Sequence, residues 1–200
     1  MITGVILAGG RANRMGGGDK CLHLLGGRPL LWHVIERLVP QVDAAVLNAN
    51  GDPLRFLGFG LPVAADPIEG FAGPLAGILA GMHWARANAP DCTCVVGVAG
   101  DTPYFPADLV ARLCDGPADE IAIAHSSSGP HWVFGLFPLP LADDLERAIA
   151  DGSRKVADWV SKQPYRLVEF TGKLPSDPFF NINTPADLAM AETLWTALDT

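Results

Sequence analysis

From Leu7 to Lys20 the chain reads Leu-Ala-Gly-Gly-Arg-Ala-Asn-Arg-Met-Gly-Gly-Gly-Asp-Lys, five glycines set around Arg11, Arg14 and Lys20. Glycine lets a backbone approach an anion closely with its amides turned toward it, and Arg14 and Lys20 add charge-assisted hydrogen bonds. The chemistry on offer is a cradle for a triphosphate, with Leu7, Ala8, Gly9 and Gly10 supplying backbone contacts. The bland alternative is a solvated loop with incidental charges. The spacing is neither Gly-x-x-x-x-Gly-Lys-Ser/Thr nor Gly-x-Gly-x-x-Gly, so it is not a P-loop and not the dinucleotide fingerprint.

Asp101 follows the nearly continuous apolar run from Cys94 to Ala99. Its carboxylate is therefore expected at the carboxyl edge of a central strand, beside the phosphates, where a hard Mg²⁺ wants oxygen ligands. Asp101 is the expected principal metal ligand; a helix cap ahead of Pro103 is the alternative. Asn48 and Asp66 each end an apolar run, and an amide with a carboxylate suits a base or ribose, or simply a strand-end turn. Gly73 to Gly77 puts little side-chain bulk at a helix start, against a purine or as a tight loop. Asn181 and Asn183 alternate along one side of an extended segment, and Thr184 is placed to cap the helix opened by Pro185. No serine, cysteine or histidine stands out with a base beside it as a nucleophile.

Such residues need strand ends to hold them. Apolar, β-branched runs alternate with stretches of helical periodicity, the pattern of βαβ units around a mainly parallel sheet. Strands are expected at Gly4 to Leu7, Ala44 to Asn48, Val63 to Ala65, Cys94 to Ala99, Ile121 to Ala124 and Val133 to Phe137. Helices are expected from near Pro29, over Pro74 to Arg86, Ala107 to Cys114 and Leu141 to Ala150, and after Pro185. Ser126 to Gly129 reads as a turn and Thr171 to Pro178 as a surface loop. The expectation is an α/β fold: one domain over residues 1–200, a Rossmann-like three-layer sandwich with helices on both faces of the sheet.

The chain has 200 residues, 49% of them hydrophobic, enough to bury a core without disulfides. Net charge is −8, which argues against nucleic acid as a partner. Residues 1–40 nevertheless carry +3, leaving −11 on the other 160, so a small anion is expected near the N-terminus. No apolar run approaches a membrane span and no secretory signal is evident, so no membrane partner is expected and the cytoplasm is the expected location. Cys21, Cys92, Cys94 and Cys114 form neither a disulfide framework nor spaced zinc pairs, and reduced thiols fit that compartment.

Leu7-Ala8-Gly9-Gly10, Arg14-Met15-Gly16 and Asp19-Lys20 together resemble the signature loop of nucleotidyltransferases of the molybdenum cofactor guanylyltransferase (MobA) family. Val46 to Asn50, Gly73 to Gly77, Asp101 to Pro103 and Asn181 to Pro185 resemble further family segments in the same order, so the likeness covers residues 4–190. Gly100 departs from it, since relatives commonly carry cysteine there. The resemblance implies that GMP passes from GTP to the terminal phosphate of Mo-molybdopterin, with Mg²⁺, or Mn²⁺, as cofactor. It gives Asn48 and Asp66 to guanosine, and Asn181 and Asn183 to the neighbourhood of the metal. Arg154 and Lys155 become candidates for the pterin phosphate, or a solvated pair. His131 falls where relatives often carry His-Pro-Thr, though Trp132 and Val133 follow it, and a turn histidine fits as well. Transient contacts with cofactor-biosynthesis proteins, apo-molybdoenzymes or their chaperones are further expected partners. The rivals are cytidylyl transfer to the same pterin, transfer to a sugar or alcohol phosphate, and a non-catalytic delivery module.

Overall fold

The β-branched run Ile2–Leu7 forms strand β1 at the middle of the molecule, with Val5 and Ile6 turned to opposite faces and both fully buried. The computed structural model describes residues 1–9, 18–68, 73–171 and 177–198. Among them β1 is followed by the short hairpin β2 (Leu24–Leu25) and β3 (Arg28–Pro29), helix α1 (Leu30–Leu38), β4 (Ala44–Asn48), β5 (Val63–Ala64), α2 (Pro74–Asn88) and β6 (Cys94–Ala99). Then come α3 (Leu109–Leu113), β7 (Ile121–Ser126), β8 (Gly129–Pro138), α4 (Ala142–Ala150), α5 (Val156–Val160), β9 (Tyr165–Glu169) and α6 (Pro185–Leu198).

Seven strands make one sheet in the order β5-β4-β1-β6-β8-β7-β9. All pairings are parallel except those of β8, which runs against β6 and β7. One face packs on α1 and α3 through Leu31, Val34, Leu38, Leu109 and Leu113; the other packs on α2, α4 and α5 through Ile78, Met82, Leu145, Ile149 and Trp159. These are the three layers expected of the α/β pattern. A smaller cluster of Leu25, Leu30, Tyr104, Ile182 and Ala191 ties α6 back to the β2–β3 hairpin, with the Tyr104 hydroxyl donating to the Ala191 carbonyl at 2.7 Å.

Register fixes the functional edge. Leu7, the last residue of β1, faces Asn48 of β4 on one side and Ala99 of β6 on the other. The chain leaves β1 toward β4 and later crosses back to β6, so the order reverses at β1 and opens a crevice at these carboxyl ends.

Several elements differ from the sequence expectation. β2–β3 and β9 were not anticipated, α5 was expected only as a helix start near Val156, and β8 begins at Gly129, so His131 lies within a strand rather than in a turn. The turn expected at Ser126 to Gly129 is present. Most of the loop expected at Thr171 to Pro178 lies outside the described residues.

Candidate active site

At the reversal, a cavity of about 1050 Å³ is lined by Leu7, Gly9, Asn48, Asp66, Gly73, Asp101 and Asn181, joined by Asp19, Asn50 and Arg55. Seven of the expected residues therefore meet in one place, brought there by the ends of β1, β4, β5 and β6 and by the start of α2. Gly10 and Arg14 lie outside the described residues. Ala8 is buried, and its amide donates to the Asn48 carbonyl at 2.9 Å, which locks the first turn of the glycine loop to β4.

At one end of the cavity the Lys20 ammonium donates to the carboxylate of Asp101 and to the side-chain oxygen of Asn183, with the Asn181 side-chain oxygen 3.5 Å away. The Lys20 and Asp101 side chains are only 11% and 17% exposed, so this is not a solvent-screened surface pair. The second oxygen of Asp101 accepts the Thr102 hydroxyl at 3.2 Å. The Ile182 amide donates to the Asp101 carbonyl at 3.1 Å, which seats the two asparagines beside the carboxylate. Thr184 and Asp187 then form a reciprocal cap on α6: Asp187 accepts the Thr184 amide at 2.8 Å, and the Thr184 hydroxyl accepts the Asp187 amide at 3.1 Å. No helix begins at Pro103, and α3 starts only at Leu109, so the capping alternative for Asp101 drops out.

One carboxylate and two amide oxygens converging on a cation are a donor set that suits a hard divalent ion, which takes few protein ligands and fills the rest of its shell from phosphate and water. Among the described residues, no three of His, Cys, Asp and Glu gather into a denser metal cluster. Gly100 is explained by crowding: a Cβ there would stand 3.1 Å from the Leu7 carbonyl and 3.3 Å from the Cys21 Cβ. Buried Cys21 occupies that space, and desolvation pushes its thiol up to about 12, so it is inert as a nucleophile.

At the other end, the Asn48 side-chain amide donates to Asp66 Oδ1 at 2.9 Å and to the Ala64 carbonyl at 3.2 Å. Helix α2 comes close enough to allow this only because residue 77 has no side chain. A Cβ at Gly77 would fall 2.3 Å from Asn48 Oδ1 and 2.6 Å from Leu7 Cδ2. Asn50 and Arg55 also face this end, and neither was anticipated as a site residue. Asn50 was visible as the second asparagine of Asn48-Ala49-Asn50, whereas nothing in the local pattern around Arg55 marks it.

The remaining candidates sit apart. Arg154 turns its guanidinium onto the Ile149 and Ser153 carbonyls, at 3.2 and 2.9 Å, closing the end of α4. Its backbone still borders the cavity, since a Cβ at Gly73 would lie 3.7 Å from the Arg154 carbonyl. Lys155 is exposed at the start of α5. His131 is stacked on Phe179 with centroids 4.2 Å apart, and its Nε2 is 2.7 Å from the Ser126 hydroxyl. Ser126 and Ser128 donate to the Asp177 carboxylate, which also accepts the Phe179 amide at 2.8 Å. This cluster pins the segment that leads into Asn181. Burial lowers the His131 pKa, although the Asp177 carboxylate pulls the other way.

A mainly parallel sheet with a glycine-rich sequence after its first strand, and a carboxylate and a lysine meeting at the topological reversal, is the arrangement of a nucleotidyltransferase. A family model described as a MobA-like NTP transferase domain matches residues 4–166. The chain belongs to that family. It is 52% identical, over 95% of its own length and 92% of the relative's, to a molybdenum cofactor guanylyltransferase of Rhodopseudomonas palustris (strain BisB5). Among solved structures it resembles molybdopterin-guanine dinucleotide biosynthesis protein A of Archaeoglobus fulgidus, with a TM-score of 0.75 and 24% identity over 98% of this chain and 99% of that one. It also resembles a Mycobacterium tuberculosis protein crystallised as a complex with manganese, with a TM-score of 0.66 and 21% identity over 96% of this chain and 98% of the other.

Proposed function

We propose that the protein transfers GMP from GTP to the terminal phosphate of Mo-molybdopterin, releasing pyrophosphate and forming the guanine dinucleotide cofactor. The observation that carries this reading is the juxtaposition, in one cavity, of Asp101 and Asn181, both reached by the Lys20 ammonium, at one end with Asn48 and Asp66 at the other. That spacing suits a nucleoside triphosphate lying along the crevice, and the relatives' names supply the identity of the base and the acceptor.

In this reading Asn48 and Asp66 hold guanosine, Gly73 flanks the purine, and Leu7, Ala8, Gly9 and Gly10 carry the phosphates. Asp101, with Asn181 and Asn183, would hold Mg²⁺ or Mn²⁺. Bound there, the ion supplies Lewis-acid neutralisation of phosphate charge. Lys20 and Arg14 offset the charge gathering on the departing pyrophosphate. The acceptor is already an anion, so no base has to remove a proton from it. Catalysis is then alignment plus electrostatics. Arg154 and Lys155 remain the proposed candidates for the pterin phosphate.

No helix among the described residues is long and apolar enough to cross a membrane. The proposed setting is the cytoplasm, alongside proteins that make or receive the cofactor. Incubating the protein with Mo-molybdopterin, Mg²⁺ and each of the four nucleoside triphosphates, with pyrophosphate detection, tests the reading. GTP is the expected productive substrate. CTP as the only productive one would establish the cytidylyl alternative, and no pyrophosphate from any would leave a delivery module.

A further inference from the structure

The carboxylate of Asp66 is held on both sides. Oδ1 accepts the Asn48 amide at 2.9 Å, and Oδ2 accepts the Asn50 amide at 2.7 Å. Asn50 closes a ring on the same residue, because its side-chain oxygen takes the Asp66 backbone amide at 2.8 Å. An ionised carboxylate has about four lone-pair positions, so each oxygen keeps capacity for a ligand. The torsion that turns a carboxylate is soft, and an untethered one presents its oxygens in many planes. With one bond fixed on each oxygen, Asp66 instead presents two acceptors side by side in a set plane. That is the partner for two adjacent donors on a nucleoside: the ring N–H and amino group of guanine, or a pair of ribose hydroxyls.

Asn50 is exposed and follows the end of β4, so its own position needs support. Arg55 supplies it. One guanidinium nitrogen donates to the Asn50 carbonyl at 2.6 Å and another to the Asp52 carbonyl at 3.1 Å. The guanidinium also lies 4.8 Å from the Phe56 ring centroid. Its Nε is 2.5 Å from the carboxylate of Asp19, the residue immediately before Lys20. A polar chain thus runs Asp66, Asn50, Arg55, Asp19, from the nucleoside end of the cavity to the exit of the glycine loop.

We propose that Asn50 and Arg55 are positioning residues. Asn50 fixes the plane in which Asp66 reads the nucleoside, and Arg55 holds Asn50 in register with the phosphate loop. This inference rests on the reading that Asp66 faces the nucleoside of GTP.

Calorimetric binding of GTP, ITP and 2′-deoxyGTP, with Mg²⁺, to the intact wild type and to Asp66→Ala, Asn50→Ala and Arg55→Lys tests it. ITP lacks the guanine amino group and 2′-deoxyGTP a ribose hydroxyl, so the analogue that Asp66→Ala no longer rejects identifies what Asp66 touches. Asn50→Ala is expected to lose about tenfold of that same discrimination, a magnitude set by one charge-assisted hydrogen bond, while the other analogue keeps its wild-type ratio to GTP. Arg55→Lys keeps the charge opposite Asp19 but not the fork, and is expected to lose the same discrimination. If Asn50→Ala and Arg55→Lys weaken all three nucleotides by one common factor, or leave all ratios as in the wild type, the positioning role is overturned. If Asp66→Ala itself changes no ratio, the nucleoside-site reading fails and this inference falls with it.

Discussion

Replacing Lys20 with methionine should abolish turnover and, in the absence of nucleotide, make the protein bind Mn²⁺ more tightly. The ammonium has three protons, and it addresses the carboxylate of Asp101 and the side-chain oxygens of Asn181 and Asn183, the same oxygens proposed for the metal. A metal arriving without nucleotide must therefore displace a cation already seated there. Side-chain exposures of 11% and 17% place the contact between surface and core, where a charge-assisted hydrogen bond contributes about 1.5–3 kcal/mol. That corresponds to an increase of roughly ten- to a hundredfold in Mn²⁺ affinity when the ammonium is removed. In the wild type the triphosphate draws Lys20 away, so metal and GTP should bind with positive coupling, and that coupling should shrink in the variant. Titrating free Mn²⁺ by electron paramagnetic resonance, with and without GTP, measures both quantities. Melting curves add a check, because Asp101 left without its partner should lower the Tm and Mn²⁺ should restore it. Mn²⁺ affinity equal to or below that of the wild type would refute the competition, and unimpaired turnover would refute the role of Lys20 at the leaving pyrophosphate.

Asp101→Asn keeps the shape and removes the charge, and should lower the pyrophosphate-release rate at least 100-fold while weakening Mn²⁺ binding, the opposite of the Lys20 variant. Gly77→Ala should raise the KM for GTP more than it lowers kcat, because the added methyl would lie 2.3 Å from Asn48 Oδ1; overpacking should also cost about 1–3 kcal/mol in a denaturant titration. Burial sets the His131 pKa below its ordinary 6.5, so the unfolded chain takes up the extra proton first. Stability should then fall as pH drops through about 6.5, and His131→Gln should flatten that limb of the Tm–pH curve. Asp187→Ala removes the carboxylate half of the cap on α6, leaving the Thr184 hydroxyl in place, and should cost about 1 kcal/mol, read as a lower urea midpoint.

The elements that line the cavity were legible because they lie in runs whose pattern matches their environment. β1, β4 and β6 are apolar on both faces, as strands in the middle of a covered sheet must be, and α2 is a long apolar helix with proline in its first turn. β9 inverts the pattern. It is an edge strand whose Tyr165 and Leu167 face outward at 40% and 46% exposure, while Arg166 turns in to donate to the Leu113 carbonyl. α5 has five residues and no side-chain cap, too little for a helical period to register. The Arg55 contacts with Asp19 and Asn50 were hidden for a different reason. A salt bridge across 36 positions leaves no local trace, and Arg55 sits in a short turn between exposed Leu54 and Leu57.

The β8 side of the sheet was harder to read because of the one reversed strand. In the parallel part of the sheet every strand ends at the functional edge, so the rule of inspecting residues just after an apolar run finds Gly9, Asn48, Asp66 and Asp101. β8 runs the other way, and it is its beginning that reaches this edge, where residues 129–131 meet the carboxyl end of β7. Ser126, Ser128 and His131 are therefore brought together by a strand end and a strand start. Asp177, 51 positions beyond Ser126, completes the group. The rule that gathers those residues looks in the wrong direction on β8, and on sequence alone His131 therefore fits a turn as well as a site. The same reversal sets the cluster against the segment carrying Asn181 and Asn183, so the anchoring of the two asparagines beside Asp101 depends on the antiparallel pair as much as on α6.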